Sequence, residues 1–129
     1  MAEVLIDSSS WIAYFRGQDR ALGKTIDRLL DDQRAALCGI VELELLSGVR
    51  AHEREELGEL LQALPYIDAA RADFILAGEK LGELRRRGVT IPASDALIAA
   101  ICLRRDLELL TADSHFDHLP EVRRFRVAG

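Results

Sequence analysis

Short apolar segments alternate with longer amphipathic segments along the whole of this 129-residue chain. The segments EVLID, AALCGI, PYID, LELLT and FRVA are each short enough to be single strands. Between them, apolar residues recur every three or four positions, as do Leu22, Ile26, Leu29 and Leu30, and this spacing predicts helices. Because strands that alternate with helices form parallel sheets covered on both faces, we expect an α/β fold.

The longest predicted helix lies in AARADFILAGEKLGELRRRG and is expected to end at Gly88. Phe74, Ala77, Leu81 and Leu84 have helical spacing, which predicts that they form its buried face. The other helices are predicted in SSSWIAYFRG, DRALGKTIDRLLDD, VELELLSGV, HEREELGELLQAL and IPASDALIAAICLRRD.

The length favours a single domain over residues 1–129, and a hydrophobic content of 49% is typical of globular proteins. No apolar run approaches the roughly 18 residues of a membrane helix, and the N-terminus lacks the pattern of a signal peptide. Cys38 and Cys102 lie in apolar runs, so we expect free buried thiols rather than a disulfide or a metal pair. This favours a cytoplasmic protein.

The net charge of −5 argues against a protein that binds nucleic acid through bulk positive charge. It remains compatible with an acidic site that binds cations first and phosphates through them.

Four acids follow the predicted strands or lie in helices that adjoin them: Asp7, Glu44, Asp95 and Asp113. Taken singly, an aspartate there can serve only as a helix cap, a partner of the helix dipole or a turn residue, and a helical glutamate is usually solvated. Taken together they are more informative, because ligands of parallel sheets bind at the carboxyl ends of the strands. Clustered carboxylates repel one another unless a cation joins them, so the pattern predicts a metal site.

Oxygen-only ligands suit Mg²⁺ or Mn²⁺ rather than zinc, and His52, His115 and His118 lack zinc spacing relative to either cysteine. A magnesium ion held by a few carboxylates completes its shell with water and substrate phosphate. Such an ion activates the water and neutralises charge on the phosphate, which indicates phosphodiester hydrolysis.

Three motifs, in order along the chain, resemble PIN-domain ribonucleases and most closely the VapC toxins of bacterial toxin–antitoxin pairs. VLIDSSSWIAYF has the opening strand, aspartate and hydroxyl residues, and VELELLSGV resembles the E-L-x-x-G helix. IPASDALIAAICLRRDLELLTADSHFDHL resembles the segment that runs from an aspartate through a small-residue helix and a strand to T-x-D-x-x-F. The resemblance implies a three-layer α/β/α sandwich with a central, mostly parallel five-stranded sheet.

The resemblance also implies a role for each acid. Asp7 and Asp95 would be the main metal ligands, Asp113 would complete the metal site directly or through water, and Glu44 would bind metal or position the attacking water. Ser8 and Thr111 match hydroxyl positions near the site.

The implied reaction is cleavage of RNA by a water activated by Mg²⁺, with Mn²⁺ as a substitute. The implied partners are an RNA substrate, a cognate VapB-type antitoxin and a second copy of the chain. Ala112 departs from the family, since many members carry a polar or basic residue there, so a substrate contact at this position is in doubt. Asp117 is an additional acid that we expect in a turn or at the surface.

Glu42 and Glu44 point about 200° apart on a helix, so they cannot easily serve one site. Glu44 lies beside Gly48, where a metal or phosphate has room to approach, and it fits the E-L-x-x-G register. Glu42 lies on an aliphatic face and is expected at an edge of the core or at a dimer interface.

Arginine forks match phosphate oxygens, and arginines occur in clusters at Arg85–Arg87, at Arg104 and Arg105, and at Arg123, Arg124 and Arg126. For the first two clusters, the favoured interpretation is that they are partners of helix C-termini on a solvated face. Trp11 and Tyr14 could stack on a base, but core packing or a dimer contact is the favoured interpretation.

Two other hypotheses remain. A catalytically inactive PIN-like binding module would keep the fold and the partner interface, but it needs none of the four acids. A two-component receiver domain needs paired acids after its first strand and a late lysine, whereas here Asp7 stands alone and the last lysine is Lys80.

Overall fold

The sheet lies at the centre of a computed structural model that describes residues 2–127. Its four parallel strands are β1 (Val4–Ile6), β2 (Ala35–Cys38), β3 (Tyr66–Ile67) and β4 (Glu108–Leu110), in the order β3-β2-β1-β4. Val4 pairs with Ala35 on one side and with Glu108 on the other, so β1 is a central strand.

Within the described residues, six α-helices connect and follow these strands. They are α1 (Ser8–Phe15), α2 (Arg20–Asp31), α3 (Gly39–Gly48), α4 (Arg54–Ala63), α5 (Arg71–Arg86) and α6 (Ala93–Arg105). Short 3₁₀ turns cover Ala51–Glu53 and Ser114–His118. The predicted α/β fold with a parallel sheet flanked by helices is confirmed.

The two central strands lie within the core of the molecule. Every residue of β1 and β2 is buried, which requires cover on both faces of the sheet. Cys38 and Cys102 are free and buried, as the sequence predicts. Among residues 2–127, the helices are too short or too polar to cross a bilayer.

The prediction of a fifth strand in FRVA is wrong for the residues that are described. Arg124 makes one isolated bridge beside Leu109, whose carbonyl accepts the Phe125 N–H at 2.9 Å. The side chains at the bridge have partners outside the sheet, since Arg124 pairs with Asp117 and the Phe125 ring lies under the Arg34 guanidinium. Ala128, the last residue of the predicted strand, lies outside the described residues.

The buried face of α5 also differs from the prediction. Phe74 is 56% exposed, whereas Ala77 and Leu84 are buried as expected. The position one residue earlier, Asp73, is fully buried because its carboxylate accepts hydrogen bonds from Arg104 and Arg105 of α6. Asp73, Ala77 and Leu84 lie on one face of the helix, so the buried face passes through Asp73 rather than Phe74, and the two arginines compensate its charge.

The strand order places a crevice between β1 and β4. The connection after β1 leads to β2 on one side, and β4 lies on the other side, so the direction of winding changes at β1. In open parallel sheets, ligands bind at such a switch point, outside the carboxyl ends of the strands. Asp7 directly follows β1, and Thr111 directly follows β4.

Candidate functional site

Asp7 lies at the carboxyl end of β1 and is 4% exposed. It is the N-cap of α1, since its Oδ1 accepts the Ser10 N–H at 3.0 Å. Its other oxygen, Oδ2, accepts the Ser9 hydroxyl at 3.1 Å and the hydroxyl of Thr111. The capping explanation therefore accounts for one oxygen only, while the other is held toward β4.

Thr111 joins the ends of the two strands. Its hydroxyl donates to Asp7 Oδ2, and its oxygen accepts the N–H of Asp113 at 3.0 Å. Asp113 in turn caps the 3₁₀ turn Ser114–His118, because its Oδ1 accepts the His115 N–H at 2.9 Å. The backbone of the loop after β4 is thus fixed relative to Asp7.

Asp95 lies in the first turn of α6, which begins directly after Pro92. Burial raises the pKa of this carboxyl group, a hydrogen bond from His115 opposes that effect, and the charges of Asp113 and Asp7 raise the pKa further. Asp113 and Asp7 therefore lie close enough to Asp95 for their charges to act on its carboxyl group.

His115 completes a cluster that the sequence interpretation, limited to oxygen ligands, did not include. Its Nδ1 lies 2.8 Å from Asp95 Oδ2 and 3.0 Å from Asp113 Oδ1. The hydrogen bond with Asp95 and the two negative charges raise the pKa of His115. In the sequence, His115 could have been noticed because it follows Asp113 by two residues. Its contact with Asp95, which lies 20 residues earlier, could not be predicted from that spacing.

Glu44 lies near the same edge through Ser8, whose hydroxyl donates to Glu44 Oε1 at 3.0 Å. Because Ser8 directly follows Asp7, this bond connects α3 to the start of α1. Desolvation raises the pKa of Tyr66 on β3, and the negative charge of Glu42, in the first turn of α3, raises it further. Both glutamates are half-buried.

The predicted site residues are therefore brought together to different degrees. Asp95 and Asp113, with His115, offer ligand atoms that all lie within 4.8 Å of one another. Asp7 is linked to this cluster through Thr111, and Glu44 accepts a hydrogen bond from Ser8, the residue after Asp7. Carboxylates with a single imidazole fit a divalent ion of the magnesium and manganese class, and their catalytic and metal-binding roles stay predictions.

Four of the eight arginines considered for RNA contacts have acidic partners in the structure. Arg104 and Arg105 bind Asp73, Arg123 binds Asp106 at 2.9 Å, and Arg124 binds Asp117 at 3.2 Å. Arg85–Arg87 and Arg126 are exposed.

The remaining sequence candidates lie apart from the cluster. Asp117 is exposed, as expected of a surface residue, and it lies outside the group formed by Asp95, Asp113 and His115. Trp11 is fully buried, which confirms core packing, and Tyr14 packs edge-on against it and donates to Asp27.

The chain is similar to known proteins along nearly its whole length. The PIN domain family model matches residues 4–122. VapC ribonuclease Mb1587 of Mycobacterium bovis is 31% identical over 98% of this chain and 98% of that protein. Ribonuclease VapC10 of Mycobacterium tuberculosis is 30% identical over 93% of this chain and 90% of that protein.

Solved structures show the same fold. A chain of DNA-bound VapBC from Salmonella typhimurium superposes with a TM-score of 0.83 at 22% identity, covering 99% of this chain and 100% of that chain. A chain of VapBC2 from Rickettsia felis, bound to a promoter DNA fragment, superposes with a TM-score of 0.79 at 20% identity, covering 95% and 96% of the two chains.

Proposed function

The chain belongs to the PIN-domain family, and from that premise we propose that it is a VapC-type toxin, an endoribonuclease that depends on a divalent metal ion. One observation carries the proposal: Asp95 and Asp113 offer ligand atoms within 4.8 Å of one another, and Thr111 joins Asp113 to Asp7 where β1 and β4 end. The names of the two mycobacterial relatives support the same activity.

Some residues of the site would bind the ion, and others orient the ligands by hydrogen bonds. Asp7, Asp95 and Asp113 would bind a divalent ion. If carboxylates are its only protein ligands, Mg²⁺ is a suitable ion and Mn²⁺ can substitute for it. When bound, that ion supplies a water of lowered pKa and neutralises charge on the phosphate. Thr111 and Ser9 orient Asp7 Oδ2, and the capping bond fixes Oδ1, so the Asp7 carboxylate is preorganised.

Glu44 is proposed to accept a hydrogen bond from the attacking water or to bind the metal at the edge of the site. Its Oε1 is held by the Ser8 hydroxyl, which leaves Oε2 for this second contact. A carboxylate that is oriented in this way can align a water, provided that the site brings the phosphate within reach.

The test is cleavage of RNA by purified chain without an affinity tag. We expect cleavage with Mg²⁺ or Mn²⁺, none in EDTA, and a rate about 10²-fold lower for Asp95→Asn. Glu79→Gln, an exposed acid substitution on α5, is the matched control and should cleave like the parent. Absence of cleavage across a broad RNA pool, together with no effect of metal on the melting temperature, would favour the inactive binding module.

We propose that the partners of the chain are a VapB-type antitoxin and a second copy of the chain. We also propose that it is located in the cytoplasm, where RNA substrates are found. The titles of the similar solved structures describe VapBC complexes, which supports the first of these. Co-expression with the product of the adjacent gene should yield a co-purifying complex in which cleavage is suppressed. If the product of the adjacent gene neither binds the chain nor inhibits cleavage, the interpretation of the chain as a toxin loses its support.

A further inference from the structure

The site contains one nitrogen donor that the four acids do not provide. His115 Nδ1 lies 2.8 Å from Asp95 Oδ2 and 3.0 Å from Asp113 Oδ1. We propose that His115 is a ligand of the metal ion and that the site therefore prefers Mn²⁺ to Mg²⁺. This inference rests on the proposed function, since it concerns the ion that the same site would hold.

The spacing of the donor atoms fits a shared ion. In an octahedral shell with bonds of about 2.1 Å, neighbouring ligand atoms lie roughly 3.0 Å apart. The two distances from His115 Nδ1 to the carboxylate oxygens match that separation. The ring nitrogen is thus placed, relative to both acids, as an adjacent ligand of one ion would be.

The backbone holds the imidazole in this position. The N–H of His115 donates to Asp113 Oδ1 at 2.9 Å, and the next residue, Phe116, is 1% exposed. The 3₁₀ turn is therefore held by Asp113, a candidate metal ligand, and by Phe116, which is buried in the core. His118 belongs to the same turn but is exposed and lies outside the cluster, which makes it a natural comparison.

The chemistry of the donor set then determines which ion is favoured. Oxygen ligands suit both Mg²⁺ and Mn²⁺, whereas an imidazole nitrogen favours transition-metal ions over Mg²⁺. The remaining ligands are carboxylates, which suit Mn²⁺ better than they suit the softer ions. One histidine in an acidic set accordingly shifts the preference to Mn²⁺.

A different role for His115 makes the opposite prediction. If its side chain served only as a counter-charge for Asp95 and Asp113, an incoming ion would displace it, and removing it would strengthen metal binding. Direct observation of a metal–nitrogen bond therefore separates the two roles.

The experiment is pulsed electron paramagnetic resonance on the untagged protein loaded with Mn²⁺. We expect ¹⁴N modulation from a coordinated imidazole in the parent and in His118→Ala, and loss of this modulation in His115→Ala. A parent spectrum without ¹⁴N coupling, or coupling that persists in His115→Ala, would overturn the inference. The parent measurement needs no variant, so a folding defect in His115→Ala leaves the test intact.

Titrations of the same proteins with Mn²⁺ and with Mg²⁺ provide a second measurement. We expect His115→Ala to bind Mn²⁺ at least about tenfold more weakly, with a smaller loss for Mg²⁺, so that the preference between the ions falls. Equal or tighter binding of Mn²⁺ by His115→Ala would show that the ring is displaced rather than coordinated.

These readouts separate the failure of this inference from the failure of the proposed function. Nitrogen coupling without RNA cleavage would leave the metal assignment standing and reject the nuclease. Cleavage without nitrogen coupling would keep the nuclease and reject His115 as a ligand.

Discussion

Thr111 donates its hydroxyl hydrogen to Asp7, and so one side chain joins the residue after β4 to the residue after β1. The same oxygen accepts the Asp113 N–H at 3.0 Å, which ties both acids to a single hydroxyl group. The spacing of the two acids therefore depends on a residue that would itself bind no metal.

Replacing Thr111 tests this relationship. Thr111→Val keeps the shape but removes the hydroxyl, so Asp7 and the Asp113 N–H each lose a partner. We expect RNA cleavage to fall about tenfold and the free energy of unfolding to fall by about 2 kcal/mol. Thr111→Ser retains the hydroxyl and should keep most of the cleavage activity and most of the stability. Initial cleavage rates and urea unfolding measure these two quantities. Parental cleavage by Thr111→Val would show that the bond does not position the acids.

Asp7 combines a structural and a proposed catalytic role, and the two can be separated. In Asp7→Asn the amide oxygen can still accept the Ser10 N–H, so the cap of α1 is retained. The loss of one negative charge also relieves repulsion with Asp95. The amide nitrogen cannot accept the Ser9 and Thr111 hydroxyls, and the relief of repulsion offsets these lost bonds. We therefore expect cleavage to be abolished while the melting temperature stays the same or rises. A variant that cuts RNA as well as the parent would refute the assignment of Asp7.

The two glutamates of α3 form a matched pair for mutation. Glu44 is linked to the site through Ser8, whereas the negative charge of Glu42 acts on Tyr66 of β3 by raising its pKa. We expect Glu44→Ala to lose cleavage and Glu42→Ala to keep most of it. Loss of the favourable interaction between Glu42 and the helix dipole should reduce stability by only about 0.5 kcal/mol. The reverse pattern of cleavage rates would mean that Glu42 is the functional residue.

Asp73 should make stability depend on pH. Burial alone would raise the pKa of this carboxyl group, but hydrogen bonds from Arg105, Arg104 and the Ala70 N–H outweigh burial and hold it well below its usual range. A lowered pKa in the folded state stabilises the fold above the unfolded pKa of about 3.9, and this contribution is lost as the pH falls further.

The measurement is urea unfolding of Asp73→Asn and the parent between pH 7 and pH 3. Near pH 7 the variant should be less stable by about 3 kcal/mol, because two arginines lose a buried partner. The difference should shrink below about pH 4, where the parent loses the same charge contribution. Glu79→Gln on the exposed side of α5 should follow the parent throughout. A difference that does not change with pH would show that packing, and not charge, accounts for the effect.

The sequence by itself determined the α/β class, the central strands and the placement of Asp7 and Asp113 at strand ends. These features depend on local rules: apolar runs of strand length, helical spacing, and the fact that parallel strands end at a common edge. Burial of Trp11, Cys38 and Cys102 follows from the same rules, because each lies in an apolar segment.

Only the tertiary structure decided the features that depend on partners distant in the chain. The buried position of Asp73 requires Arg104 and Arg105, which lie 31 and 32 residues further along. The approach of His115 to Asp95 requires α6 and the 3₁₀ turn to meet at the crevice. The predicted strand in FRVA is reduced to one bridge beside Leu109, where Arg124 and Phe125 have side-chain partners outside the sheet. Each outcome is set by charge pairing or packing between separate elements, and periodicity along one element carries no information about that.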